Sequence, residues 1–135
     1  MKSILITGAT GFIGSYLLKN LYPQKKIFLI LRGKSKKNEE FKKYKKIKII
    51  NYNKFDELNK KLKKFNIDIV IHCATHYVRD HKYSDILKLS KSNILFGNII
   101  LENLKTMKTK KFINFSTVWE DYDSIKDNNN NLYSA

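Results

Sequence analysis

Three glycines spaced three apart, Gly8, Gly11 and Gly14, follow directly on the apolar run Ser3-Ile4-Leu5-Ile6. A run rich in β-branched residues reads as a buried strand, and residues 12–21 beyond the glycines read as a helix. Strand, glycine turn and helix in immediate succession leave few folds open. Gly8 allows a reversal that a side chain would forbid, Gly11 lets backbone N–H groups approach a pyrophosphate, and Gly14 lets the helix pack closely on the strand. The helix then aims the partial positive charge of its first turn at the bound anion. Glycines also serve plain structural turns, but this context favours a nucleotide-binding turn.

The rest of the chain repeats the alternation. Strands are expected at 26–31, 47–52, 67–71 and 111–115, each a short apolar run. Between them the pattern predicts a short helix over 38–46 and a helix over 56–65, with Phe55, Leu58, Leu62 and Phe65 on one side. A long helix over 86–105 has an apolar face of Ile86, Leu87, Leu89, Ile94, Leu95, Ile99, Leu101 and Leu104. Gly97 inside it costs about 1 kcal/mol relative to alanine, so close packing on the sheet is the expected reason for it.

Five strands alternating with helices predict an α/β fold, a Rossmann-type doubly wound parallel sheet in the order 3-2-1-4-5. At 135 residues and 42% hydrophobic content, the expectation is one domain over 1–135. Ligand should bind at the carboxyl edge, where Gly8, Arg32, Ala74 and Thr117 converge.

Arg32 ends the second strand, about twenty residues past the glycines, where an acidic residue would accept hydrogen bonds from the adenosine ribose of NAD. An arginine can stack on adenine and pair with a 2′-phosphate, so NADP is favoured and NAD is the alternative. A surface arginine at a strand end is the plainer reading.

The net charge of +15 suggests nucleic acid or an acidic membrane as partner. Nearly all the basic residues are lysines, with only Arg32 and Arg79 as arginines, and Lys, Asn and Ile are abundant together, as A/T-rich coding produces. The densest stretch, 32–48, also holds Glu39 and Glu40 and is broken by Phe41 and Tyr44, which suits a solvated helix face. The expectation is therefore no nucleic-acid and no membrane partner. No apolar run has the length of a membrane span and the first residues are the strand itself, so a cytoplasmic protein is expected. Cys73 is the only cysteine, which excludes an internal disulfide. His72 and His76 stand four apart, but His72 sits at a strand end with no neighbouring glutamate, and no metal is expected.

Four stretches in order are more specific than the glycines alone. They are Thr7-Gly8-Ala9-Thr10-Gly11-Phe12-Ile13-Gly14, Val70-Ile71-His72-Cys73-Ala74, Asn93-Ile94-Leu95-Phe96-Gly97-Asn98, and Phe115-Ser116-Thr117 with Tyr133 beyond it. Together they resemble the extended short-chain dehydrogenase/reductases, specifically the NAD(P)-dependent epimerase/dehydratase family acting on nucleotide sugars. The resemblance implies cofactor binding by Gly8, Thr10, Gly11, Phe12, Ile13 and Gly14, with Arg32 at the second strand and Cys73, Ala74 and Thr75 at the fourth. Asn93 would help hold the active site and is expected among the cofactor-binding residues.

The resemblance also implies catalysis by hydride transfer at a sugar carbon. Thr117, or less favourably Ser116, would hydrogen-bond the reacting oxygen while Tyr133 exchanges its proton. A free tyrosine has a pKa of about 10, and the family lowers it with a lysine that would lie two residues beyond Ala135. The later strands and the sugar-nucleotide region are also beyond the chain. The expectation is a truncated N-terminal cofactor half that binds a dinucleotide and turns over no substrate, with a homodimer through the long helix compatible with the family. A non-catalytic NAD(P)-binding sensor or docking module is the alternative, with no use for Thr117 and Tyr133. Asn51-Tyr52-Asn53 departs from the family by replacing the acidic residue usually found near the adenine.

Overall fold

The computed structural model describes residues 1–22, 24–33 and 39–116. Five strands, β1 (Ser3–Thr7), β2 (Lys26–Arg32), β3 (Ile47–Tyr52), β4 (Ile69–His72) and β5 (Lys111–Asn114), form one sheet in the order β3-β2-β1-β4-β5. Every pairing is parallel, so all five carboxyl ends lie along one edge. This is the expected order. The helices are α1 (Phe12–Leu21), α2 (Phe55–Leu62), α3 (Ile86–Leu89) and α4 (Phe96–Asn103), the last two joined by a π-helical segment, Ser90–Leu95.

A parallel sheet carries helices on both faces, so its central strands are apolar on both sides. All five residues of β1 are buried, as are the five inner residues of β2. Their alternation splits the core in two. Leu5, Phe28, Ile30 and Val70 pack under α2 and α4 with Leu58, Leu62, Phe96 and Ile100. On the other face Ile4, Ile6, Ile27 and Leu29 meet Leu18 of α1. Hydroxyls fasten β1 to the β4 region at both ends. Ser3 bonds the Asp68 carboxylate through both its N–H and its Oγ, each at 2.9 Å, and Thr7 Oγ1 lies 2.9 Å from His72 Nδ1.

Three expectations are corrected. The fourth strand starts at Ile69 because the Ile67 N–H goes to the Met107 carbonyl, and the Asp68 carbonyl accepts from Lys110 and Lys111. The short helix over 38–46 is helical in its described part only at Glu39 and Glu40, then tightens to a 3-10 turn at Phe41–Lys43. On the long helix the buried residues are Leu89, Phe96, Ile100 and Asn103, whereas Leu87 and Ile94 are 63% and 60% exposed. One helical stripe meets the sheet, and much of the expected apolar face lies off it.

Candidate functional site

The glycine turn joins β1 to α1 at the carboxyl edge. Gly8 has φ +68°, and a Cβ there would stand 2.7 Å from the Ala74 N and from the Cys73 carbonyl. That combines a left-handed backbone with a jam against the loop after β4, and only glycine meets both. A Cβ on Gly14 would collide with the Gly8 carbonyl oxygen and stand 2.9 Å from the Ala9 Cα. The close approach at Gly14 is thus between helix and turn rather than helix and strand. Gly11 is different: a Cβ would meet only the Gly8 oxygen, at 3.3 Å. The protein's own packing makes a milder demand there. Helix α1 begins after Gly11 with no side-chain cap and no acidic residue in its first turn. Its first N–H groups therefore have neither a capping oxygen nor a carboxylate before them.

A cleft of about 390 Å³ opens above this turn, across the strand ends. Gly8 and the run from Thr10 to Gly14 line it, with Arg32 at the end of β2 and Cys73, Ala74 and Thr75 after β4. The structure brings those predicted residues together. Ile30, Phe55, Lys91, Ser92 and Phe96, not named as site residues from the sequence, complete the lining together with Tyr52, which the sequence marked only as part of a departure from the family. Tyr52 could have been found from strand register, because Arg32 pairs with it across β2 and β3. Arg32 and Lys91 are the charged residues of the lining, and no Asp or Glu is among the described residues that form it.

Thr7 fixes the floor of the cleft. Its Oγ1 accepts the backbone N–H groups of Cys73 and Ala74, each at 3.1 Å, and lies 2.9 Å from His72 Nδ1. A hydroxyl has two lone pairs and one proton. Both lone pairs are taken, so the proton goes to Nδ1, and His72 is neutral with its own proton on Nε2. Burial between the Phe96 and Phe112 rings lowers the His72 pKa in the same direction. Burial raises the Cys73 pKa, the direction opposite to that of an activated thiol. Burial likewise raises the Tyr52 pKa, with the Arg32 charge pulling partly the other way.

Asn93 does not line the cleft. It lies in the π-helical segment, where the Phe96 N–H reaches back five residues to the Lys91 carbonyl. Its Oδ1 accepts the His76 N–H at 2.7 Å and its Nδ2 donates to the His76 carbonyl at 3.1 Å. The pair holds the loop after β4, and with it Thr75, whose hydroxyl also lies 3.4 Å from the Asn93 Oδ1. Asn93 is therefore a positioning residue. Single π turns inside α-helices recur at functional sites, and this one carries Lys91 and Ser92 to the cleft.

The model of the NAD dependent epimerase/dehydratase family matches residues 4–133. The chain belongs to that family. It is 36% identical to a dTDP-D-glucose 4,6-dehydratase of Dictyostelium discoideum over 97% of this chain, and 30% identical to a CDP-abequose synthase of Salmonella muenchen over 90%. It spans 32% and 40% of the lengths of those two relatives. Among solved structures it is similar to a UDP-glucuronic acid 4-epimerase from Bacillus cereus, solved with a fluorinated UDP sugar and NAD. That likeness has a TM-score of 0.70 and 28% identity, covering 90% of this chain and 41% of the epimerase.

Within this epimerase/dehydratase chain the predicted catalytic group is only partly in view. Ser116 follows β5, is exposed and does not line the cleft, while Thr117 and Tyr133 lie outside the described residues. Among the described residues no three His, Cys, Asp or Glu side chains are grouped to hold a metal ion. No helix among them is long and apolar enough to cross a membrane.

Proposed function

We propose that the chain is the cofactor-holding part of a nucleotide-sugar epimerase, dehydratase or reductase, and that it binds NADP in preference to NAD. The observation that carries this reading is the composition of the carboxyl-edge cleft. An uncapped helix N-terminus and Gly11 stand on one wall, Arg32 stands at the end of β2, and no carboxylate is among the described residues of the lining. The uncapped N–H groups suit a pyrophosphate. A guanidinium pairs with a 2′-phosphate in two parallel hydrogen bonds, whereas a ribose 2′-hydroxyl gains more from a carboxylate.

A bound nicotinamide supplies hydride exchange at a sugar carbon. The chain's own part is to position and to move a proton. Thr7 and Asn93 hold the loop after β4 against the turn, Thr117 or Ser116 hydrogen-bonds the reacting oxygen, and Tyr133 exchanges its proton. A homodimer and a cytoplasmic location belong to the same reading.

Thermal unfolding with NADP and NAD tests it, since a ligand of the folded state raises the midpoint by mass action, about 2.7 kcal/mol of stabilisation at a hundredfold excess over Kd. NADP should raise the midpoint more than NAD, and Arg32→Ser should remove the difference. Equal shifts with the parent chain, or a larger one with NAD, would overturn the NADP preference. No shift with either would overturn the cleft as a dinucleotide site.

A further inference from the structure

Every described connection that reaches the amino edge of the sheet carries lysine. Lys2 precedes β1, Lys25 precedes β2 and Lys26 begins it, and Lys45 and Lys46 precede β3. Lys63 and Lys64 follow α2, Lys105 and Lys108 follow α4, and Lys110 and Lys111 stand at the start of β5. All are exposed except Lys25, which is half-buried. Register sets the strand starts side by side, since Ser3 pairs with Lys26, Ile27 with Ile47, and Ile69 with both Ile4 and Lys111. Among the described residues the carboxylate in these connections is Asp68, already bonded to the Ser3 N–H and Oγ and 3.6 Å from Lys110 Nζ. Glu102 adds one more in the last turn of α4. The carboxyl edge is balanced by comparison. In its described loops and first helical turns, Arg32, Lys54, Arg79 and Lys82 stand with Asp56, Glu57, Asp80 and Asp85.

A compositional bias toward lysine would load both edges alike, and the charge is concentrated at one. Helix dipoles account for part of it, because cations are favoured where Lys63, Lys64 and Lys105 lie, just past the ends of α2 and α4. They do not account for Lys2, Lys45, Lys46 or Lys110, which stand at strand starts, and sheets have little net dipole. Five strands at about 4.8 Å make this edge about 20 Å wide, more than twice the Debye length of about 8 Å at physiological salt. So broad a field suits an extended anion, where a single phosphate would meet only a corner of it.

We propose that the amino edge of the sheet docks the protein on an anionic phospholipid surface. Two observations favour lipid over nucleic acid. Both arginines, Arg32 and Arg79, lie at the other edge, so the planar forks that suit phosphodiesters and bases are missing here, whereas flexible lysine stems let many ammonium groups meet one plane. The exposed rings of the described residues, Phe12, Tyr16, Tyr77, Tyr83 and Phe115, also lie outside these connections, which leaves bases nothing to stack on. The cleft lies at the opposite ends of the same strands, about 20 Å away along the seven residues of β2. A docked molecule therefore keeps its cleft open to water.

Cosedimentation of the chain with phosphatidylcholine vesicles, with and without phosphatidylglycerol, tests the proposal at physiological ionic strength. Partitioning onto the anionic vesicles should exceed that onto the neutral ones by about tenfold or more and fall as salt is raised. A lysine near an anionic surface is worth about fivefold in partitioning, so Lys45→Gln combined with Lys46→Gln should weaken binding by about tenfold or more. Lys54→Gln combined with Arg79→Gln removes the same charge from the other edge and should weaken it by less than about threefold. All four positions are exposed, and unchanged unfolding midpoints would show both variants folded. Absence of binding to anionic vesicles, or equal binding to neutral ones, would overturn the proposal. Equal losses in the two double variants would reduce the effect to net charge and overturn the amino edge as the docking face. Tighter binding to a duplex oligonucleotide than to anionic vesicles at the same salt would overturn lipid as the partner and put nucleic acid in its place.

Discussion

A methyl group added to Gly14 would collide with the Gly8 carbonyl oxygen, whereas one added to Gly97 would find only His72 Nε2, at 3.6 Å. The first glycine belongs to the turn between β1 and α1, the second to the long helix. At the turn, backbone meets backbone, and nothing can yield without moving a strand end. On the helix a side-chain atom stands at ordinary van der Waals distance. Close packing against the sheet therefore does not require glycine at 97, contrary to expectation. A glycine is informative when rigid backbone crowds it, and its mere presence in a helix is not.

The contrast can be broken first at Gly14. Gly14→Ala should destabilise the chain by about 3 kcal/mol, read as a fall of about 10 °C or more in the unfolding midpoint. A midpoint within a few degrees of the parent would show that the turn can open, and the contrast would disappear.

Thr7→Val probes the other side of the same turn. The substitution keeps the shape but leaves the Cys73 and Ala74 N–H groups and His72 Nδ1 without their shared partner. Denaturant unfolding should show a loss of about 2 kcal/mol. A neutral result would mean that water replaces the hydroxyl and that Thr7 does not hold the loop after β4.

Acidification should act through His72. Its folded pKa is lowered by burial, so below the ordinary histidine value of about 6.5 the unfolded chain takes up a proton that the folded chain refuses. The contribution is fully present above that value and is lost as pH falls toward the folded pKa, with a slope of at most about 1.4 kcal/mol per pH unit. Stability measured from pH 7.5 downward should begin to fall near 6.5, and His72→Phe should remove that component. An unchanged slope in the variant would place the titration elsewhere.

The smallest effect is expected on the helix. Gly97→Ala should be neutral or stabilising by up to about 1 kcal/mol. A loss exceeding 1 kcal/mol would mean that His72 cannot tolerate the contact, restoring close packing as the reason for the glycine.

Much of this architecture was legible in the residues. The strand order and the glycine turn could be read because each depends on short-range pattern: apolar runs for strands, three spaced glycines between a strand and a helix. Most of the cleft was legible for the same reason, since Gly8, Gly14, Arg32 and Ala74 all sit where a strand ends or a helix begins. The long helix was misread because its apolar residues are not confined to one side. Composition alone could not tell Ile100, which is buried, from Leu101, which is 47% exposed.

The sequence by itself determined the alternation of elements, their order in the sheet and the edge on which the cleft opens, because parallel right-handed connections leave little choice. Tertiary structure alone decided that Tyr52, Phe55 and Phe96 line one cleft, and that the Thr7 hydroxyl meets the ring of a histidine 65 residues away. Those facts rest on contacts between residues that no local pattern relates. They exist only once the sheet has brought the ends of β1, β3 and β4 and the helix starts of α2 and α4 to one edge.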